Sequence, residues 1–551
     1  MSRQLKVVMA QINLLVGAID KNTAAVLDVS RKAILDHQAD LVVFPELTLT
    51  GYPPEDLLLR PSLQLRIEKA VTEILAARLS IMIVVGYPLR ESGHLYNALS
   101  VIEDGQILGT YKKQCLPNYQ VFDERRYFEA GNATCTVQVK GMPTAFTICE
   151  DMWEEGPTLQ AMKAGARLMV NINASPYHMN KVNERRNLLE RRSQAGQMPI
   201  IYTNLVGGQD ELVFDGASMV FDADGVCQYQ APSFQEGLYP VIFSFSENDK
   251  SCCKIVTQSI APQRPLEADV YDALVLGVRD YVNKNKFRGV VIGLSGGIDS
   301  ALTLTVAVDA LGKDRVRTVM MPFSFTSQLS LDASRQQADK LGVDYRVIPI
   351  TGPYDAFMRA LAEEFSGTDP EVSEQNIQAR CRGVLLMAIS NKKGLMVLTT
   401  GNKSEIAVGY STLYGDMAGG FDVLKDVSKT LVYRLARFRN EMYGAVPDEV
   451  IPRAVIDRPP SAELAPGQMD QDSLPSYDQL DQILELYVEQ DSSASAIVAA
   501  GFPEDVVRKV LRLVDMNEYK RRQSPIGVRL TKRGFGRDRR YPITNAWELG
   551  E

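Results

Sequence analysis

The sequence predicts an α/β protein of two domains, and three observations predict it. At 551 residues the chain is longer than one core normally serves, because domains usually run ~100 to 200 residues. Its first part alternates short β-prone runs with helical stretches, the pattern of a layered α/β domain. Its second part repeats strand, turn and helix, the pattern of a doubly wound parallel sheet, which binds its ligands at the carboxyl ends of the strands.

Taken in order, the β-prone runs are KVVMAQI, DLVVFPEL, IMIVVGYPL, TAFTICE, RLMVNINAS, PIIYTNLVG and ASMVFDADG, with KNTAAVLDVSRKAILDHQ and QLRIEKAVTEILAARL as helices between them. Together they make residues 1–245 the first domain. The stretch 246–266 loses periodicity and gathers Pro262 and Pro265, so it reads as a linker. Residues 267–551 form the second domain: the helix VYDALVLGVRDYVNKN, then the strands GVVIGL, RVRTVMMPF, DYRVIPI and GLMVLTTG with helices between them. The segment 458–477 is a Pro/Gly-rich loop too polar to pack, followed by a helical C-terminal part.

Composition is that of a globular protein, and the net charge of -8 with pI near 5.3 gives no general attraction to nucleic acid or anionic membrane. Small molecules are the expected partners. Seven cysteines with no CxxC pair argue against a disulfide framework and a zinc knuckle and suit a reducing cytoplasm. No run reaches the ~18 apolar residues of a membrane span.

The stretch TAFTICEDMW, 144–153, sets Cys149 after a β-prone run and before two carboxylates. A thiol attacks as its thiolate and needs a base or cation beside it. The usual partner is histidine, yet none of His37, His94 and His178 sits in a triad-like context. A Cys–His pairing in space stays open, and so does a buried structural cysteine. Glu46 ends an apolar strand, where a charge is costly unless paired or functional. Lys112 and Lys113 precede a Leu-Pro turn. Lys113 as an ammonium would stabilise a thiolate and an oxyanion while Glu46 moves the proton, so Glu46, Lys113 and Cys149 are a candidate triad that would work without histidine. FPELTLTGY, KQCLP and TICEDMW resemble, in order, the motif contexts of the Glu-Lys-Cys triad of the nitrilase superfamily. That resemblance implies an α-β-β-α sandwich, and glutamine binding by Tyr119, Ser175 and Lys181. Glu124 reads in two ways, as a carboxylate orienting Lys113 or as a surface partner of Arg125 or Arg126.

GLSGGIDS, 293–300, lies at a strand-to-helix turn, where glycines let backbone N–H groups close on an anion and the helix dipole adds to the attraction. An ordinary tight turn is the plain alternative, but Asp299 beside such a loop has a ready role as a Mg²⁺ ligand. The pattern resembles the SGGxDS loop of the PP-loop ATP pyrophosphatases, which implies a Rossmann-like domain. With NIQARCR at 376–382, the segment 399–438 and EYKRRQSP at 518–525, the second half resembles the NAD synthetases, and the whole chain their glutamine-dependent form. The resemblance implies ATP binding by Gly293, Leu294, Ser295, Gly296, Gly297, Ile298, Asp299, Ser300 and Thr400, and Mg²⁺ at Asp299 and Glu405. It also implies that Asn376, Glu405 and Lys520 hold nicotinic acid adenine dinucleotide, with Arg380 and Arg382 as supports or a solvated helix face, and that Lys429 and Ser461 sit on loops closing over ATP.

The run 520–540 carries nine basic residues and one acid, and reads as a basic wall of the site, an RNA-binding tail or a solvated tail. The reaction implied is adenylation of the dinucleotide by ATP, then displacement of AMP by ammonia from glutamine, giving NAD, AMP, pyrophosphate and glutamate. A homo-oligomer is implied as well. Another PP-loop amidotransferase, such as a GMP synthetase, is the alternative enzyme, and a non-catalytic nucleotide or glutamine sensor the alternative of another class.

Overall fold

The computed structural model describes residues 2–246, 253–369, 371–442, 449–465 and 467–547. The chain divides between Arg264 and Pro265 into two compact units.

The first unit holds two seven-stranded sheets. In one, Ser2–Gln11 pairs antiparallel with Gly237–Ser246 and parallel with Leu41–Val43, which pairs parallel with Met82–Glu91. In the other, Met142–Ile148, Leu168–Asn173 and Ile200–Asn204 run parallel. Side chains alternate along a strand. Val7 and Met9 therefore point to the opposite sheet, meeting Phe146 and Val170, while Val8 and Ala10 point to the helices Ile19–His37 and Pro61–Ala76. Helices Glu155–Lys163 and Lys181–Gly196 cover the second sheet through Ala161, Leu188 and Leu189. Both faces of the central strands are buried, which is why they read as near-continuous apolar runs. The architecture is the expected α-β-β-α sandwich.

Among the first-unit strands that escape the reading by apolar runs are His94–Glu103, Gln106–Lys112, Cys135–Val139 and Gly237–Ser246. Each mixes polar and apolar residues and is held by antiparallel neighbours. Within the stretch read as linker, Cys253–Ile255 and Ser259–Ile260 add edge strands to the two sheets, and 247–252 lie outside the described residues.

The second unit is built on a parallel five-stranded sheet, in spatial order Asp344–Val347, Val316–Met320, Val290–Gly293, Met396–Thr399, Phe421–Asp422. Chain order reverses between Val290–Gly293 and Met396–Thr399, and a crevice opens beyond the carboxyl ends of strands at such a reversal. The loops 294–297 and 400–402 leave from there. C-terminal helices Tyr477–Leu484 and Glu504–Met516 pack through Leu480, Ile483, Val507 and Val510. The 458–477 loop is not wholly unpacked, because Asp470, Leu474 and Tyr477 are buried. No helix among the described residues is long and apolar enough to cross a membrane.

Candidate functional site

In the first unit Glu46, Lys113, Cys149 and Ser175 all stand just past the carboxyl ends of strands, those of Leu41–Val43, Gln106–Lys112, Met142–Ile148 and Leu168–Asn173. The two sheets thus bring together residues far apart in the chain. Lys113 donates to Glu46 Oε1 at 2.8 Å and to Glu124 Oε1 at 2.9 Å, and the ammonium is wholly enclosed. Glu46 is completed by Asn97 Nδ2 at 2.7 Å and by the Ala174 N–H at 3.1 Å. Tyr52 donates to Glu124 at 3.1 Å. Glu124 is therefore a buried partner of Lys113, and the surface ion pair is excluded.

Cys149 opens a 3₁₀ turn with φ of 45°, a left-handed conformation that L residues avoid and that accumulates at functional sites. Asp151 fixes this turn. Its carboxylate accepts from the N–H groups of Ile148 at 3.0 Å, Gln114 at 3.0 Å and Cys115 at 2.8 Å, and from the Tyr111 hydroxyl at 2.9 Å. One buried anion thereby ties the loop after Lys113 to the turn bearing Cys149.

Burial and the Glu46 carboxylate push the Cys149 thiol well up, against Lys113, so the resting sulfur is protonated and depends on a base. Burial pulls the Lys113 ammonium down, but Glu124 and Glu46 overcome it and hold it charged. Burial raises Glu124 to about 7 against the pull of Lys113. His178 faces Glu184 at 3.5 Å and the Met179 carbonyl at 2.9 Å.

The three glutamine candidates lie around this centre. Half-exposed Tyr119 donates to both oxygens of Glu150, at 2.9 and 3.1 Å. Ser175 is buried, with its N–H on Asn204 Oδ1 at 2.9 Å. Lys181 sits 4.2 Å over the Trp153 ring, and burial lowers its pKa.

In the second unit a cavity of about 290 Å³ is lined by all of residues 293–300 and by Thr400, Glu405, Lys429 and Ser461. The loop is shaped by its own bonds: Ser295 N–H donates to Ser300 Oγ at 3.2 Å and Gly297 N–H to Ser295 Oγ at 3.2 Å. Helix Ile298–Leu311 begins there, aiming its positive end at the cavity. Lys429 opens the helix Lys429–Met442, rather than lying on a loop, and reaches Asp299 at 2.6 Å and Glu405 at 2.9 Å. Asn402 donates to Asp299 at 2.9 Å. Burial raises Glu405 to about 7, with Lys429 opposing and Asp299 adding. Because both carboxylates reach one ammonium, they are also within reach of one hard cation, which oxygen donors suit.

Asn376 and Lys520 are not among the residues lining this cavity. Both hold the segment 409–416 instead: Asn376 accepts from Thr412 Oγ1 at 2.8 Å, and Lys520 donates to the carbonyls of Gly409 at 2.8 Å and Ser411 at 3.0 Å. Thr412, Gly415 and Asp416 of that segment do line the cavity. Arg382 lines it too, while exposed Arg380 donates to the Leu413 carbonyl at 3.3 Å.

The basic run 520–540 does not form a wall of the cavity. Arg521 is buried on Glu518, Arg529 pairs with Asp538, and the Leu530 and Thr531 N–H groups donate to Asp426, each at 2.7 Å. Three of its nine basic residues, Arg521, Arg529 and Arg539, are buried inside the fold, a use that sequence position cannot distinguish from a binding surface.

The carbon-nitrogen hydrolase family matches residues 6–243, and the NAD synthase family matches residues 270–524. Over 545 residues the chain is 47% identical to the glutamine-dependent NAD(+) synthetase of Acinetobacter baylyi, covering 99% of each protein. The chain belongs to the glutamine-dependent NAD(+) synthetase family. A second relative of that name, from Xanthomonas campestris, is 48% identical over 545 residues and covers 98% of each chain. The solved structure of glutamine-dependent NAD+ synthetase from Acinetobacter baumannii, in complex with ADP, superimposes with a TM-score of 0.79 at 44% identity over 100% of both chains.

For a glutamine-dependent NAD(+) synthetase chain, motif reading misses residues whose work depends on the fold. Asp151 is one, for only its acidity beside Cys149 hints at a role. Asp470 and Tyr477 are others: Tyr477 donates to Asp470 at 2.8 Å and lies 5.3 Å under the Lys429 ammonium. Tyr477 carries no sequence signal that separates it from an ordinary core tyrosine.

Proposed function

We propose that this chain converts nicotinic acid adenine dinucleotide to NAD, using ATP and ammonia drawn from glutamine. The observation that carries the reading is the enclosed Lys113 ammonium between Glu46 and Glu124 beside Cys149, in a chain whose other unit carries a glycine-rich anion cradle. A hydrolase centre alone needs no ATP, and an adenylating centre needs a nitrogen source. Free ammonia at neutral pH is mostly ammonium, which has no lone pair to attack with.

In the first unit Glu46 takes the Cys149 proton as sulfur attacks the amide carbon of glutamine. Lys113 stabilises the oxyanion, Glu46 returns the proton to departing ammonia, and water activated by Glu46 frees glutamate from the thioester. Tyr119, Ser175 and Lys181 bind the glutamine. In the second unit the N–H groups of 293–300 and the helix end hold the ATP phosphates, with Thr400 and Ser461 beside the nucleotide. Mg²⁺ fits Asp299 and Glu405. When bound it would neutralise phosphate charge. Asn376, Glu405 and Lys520 orient the dinucleotide, the first and last through the 409–416 segment. A cytoplasmic homo-oligomer belongs to the same reading; exposed Val384 and Met387, on the helix that carries Asn376, are a surface that a second copy would cover.

Incubation with the dinucleotide, ATP, Mg²⁺ and glutamine labelled with ¹⁵N in its amide tests the whole. NAD carrying the label, with AMP and pyrophosphate in equal amounts, is expected. Unlabelled product, or ADP in place of AMP, would overturn it.

A pH dependence follows from Glu124. Above about 7 it is ionised and Lys113 is held between two carboxylates; below, it is protonated and Lys113 keeps Glu46 alone. Glutamine hydrolysis should therefore rise between about pH 6 and 8. The Glu124→Gln variant should lose that rise, and keeping it would exclude Glu124 as the titrating group.

A further inference from the structure

We infer that Arg458 and Ser330 form a further binding pair for the ATP phosphates, and that Glu463 holds the pair in reserve by occupying the phosphate position. The inference rests on the reading of residues 293–300 as the ATP cradle. Ser330 lies against that cradle: a Cβ on Gly296 would stand 2.5 Å from the Ser330 carbonyl oxygen. It sits in the first turn of helix Gln328–Leu341, whose cap is Ser327.

Ser330 Oγ is 3.0 Å from each oxygen of Glu463, Arg458 Nη1 donates to Ser330 Oγ at 2.6 Å, and Arg458 Nη2 pairs with Glu463. A hydroxyl and a guanidinium gripping two oxygens of one anion is the arrangement a phosphate takes. All three residues line the cavity. Glu463 reaches the position with φ of 49°, a conformation costly for a residue with a Cβ, so its place is held by the charges around it.

The other cavity cations differ in how they are engaged. Lys429 is committed to Asp299 and Glu405, and Arg382 donates to the Met321 carbonyl at 3.1 Å. An entering triphosphate repels the Glu463 carboxylate and supplies oxygens in its place, so Arg458 and Ser330 change partner without leaving a buried charge unpaired. Glu463 thus competes with ATP for its own site.

Titration calorimetry of the full chain with Mg²⁺–ATP tests this, using Glu463→Gln and Arg458→Ala. Glu463→Gln keeps the shape and removes the competing charge, so ATP should bind severalfold tighter, a gain that misfolding cannot produce. Arg458→Ala should bind ATP about tenfold more weakly, as loss of one charge-assisted contact does. Unchanged or weaker binding by Glu463→Gln overturns the reserve role, and unchanged binding by Arg458→Ala overturns the pair. Failure of the parental chain to bind ATP would overturn the cradle reading itself, so the two failures are distinct.

Discussion

Cys149→Ala abolishes NAD synthesis from glutamine, by on the order of 10⁴- to 10⁶-fold as loss of a nucleophile does, and leaves synthesis from ammonium intact. No other group can replace the sulfur. The nearby side chains are Glu46, Lys113 and Glu124, an acid-base apparatus that needs a thiol to serve. Alanine meets the same backbone demand as cysteine at φ of 45°, and Asp151 still holds the turn through Ile148, Gln114 and Cys115, so the fold is kept. Ammonium at high concentration supplies the nitrogen that the first unit no longer makes. The measurement is NAD formed from the dinucleotide, ATP and Mg²⁺ with each nitrogen source in turn. Sustained turnover with glutamine would make Cys149 structural.

Gly296→Ala has a different signature, loss of synthesis from glutamine and ammonium alike. Gly296 lies at φ of 84°, where a side chain is strained by roughly 1–2 kcal/mol. Its Cβ would also stand 2.5 Å from a backbone oxygen and 2.7 Å from the Cα of Ser330, which cannot swing aside as a side chain can. The loop must shift or helix Gln328–Leu341 must retreat, and either moves the N–H groups that are to meet the phosphates. A displacement near 1 Å costs about 10²-fold in rate. The same assay with ammonium alone checks it, and parental activity there would mean that ATP is bound elsewhere.

Much of the candidate site was legible because it is local in sequence. A glycine-rich turn between an apolar strand and a helix needs only a dozen contiguous residues to be recognised, and so residues 293–300 and Asp299 could be read directly. Cys149 and Glu46 each belong to a β-prone context, where a charge at a strand end is conspicuous, and Lys113 precedes a Leu-Pro turn. Residues whose meaning depends on a distant partner were harder to read. Glu124 fits a surface ion pair as well as a buried one until Lys113 is seen 2.9 Å away. The basic run 520–540 resembled a binding surface because the counterions Glu518 of Arg521 and Asp515 of Arg539 lie outside it.

By itself, then, the sequence determined the α/β class, the glycine-rich turn between a strand and a helix and the candidates Glu46, Lys113 and Cys149, since periodicity, turn chemistry and residue type are properties of short stretches. Only the tertiary structure decided which charges meet. It set Lys113 between two carboxylates, gave Asp299 and Glu405 a common cation in Lys429, and turned Arg521, Arg529 and Arg539 inward. The physical reason is that an ionic contact depends on distance and desolvation in space, and neither is encoded by neighbours along the chain.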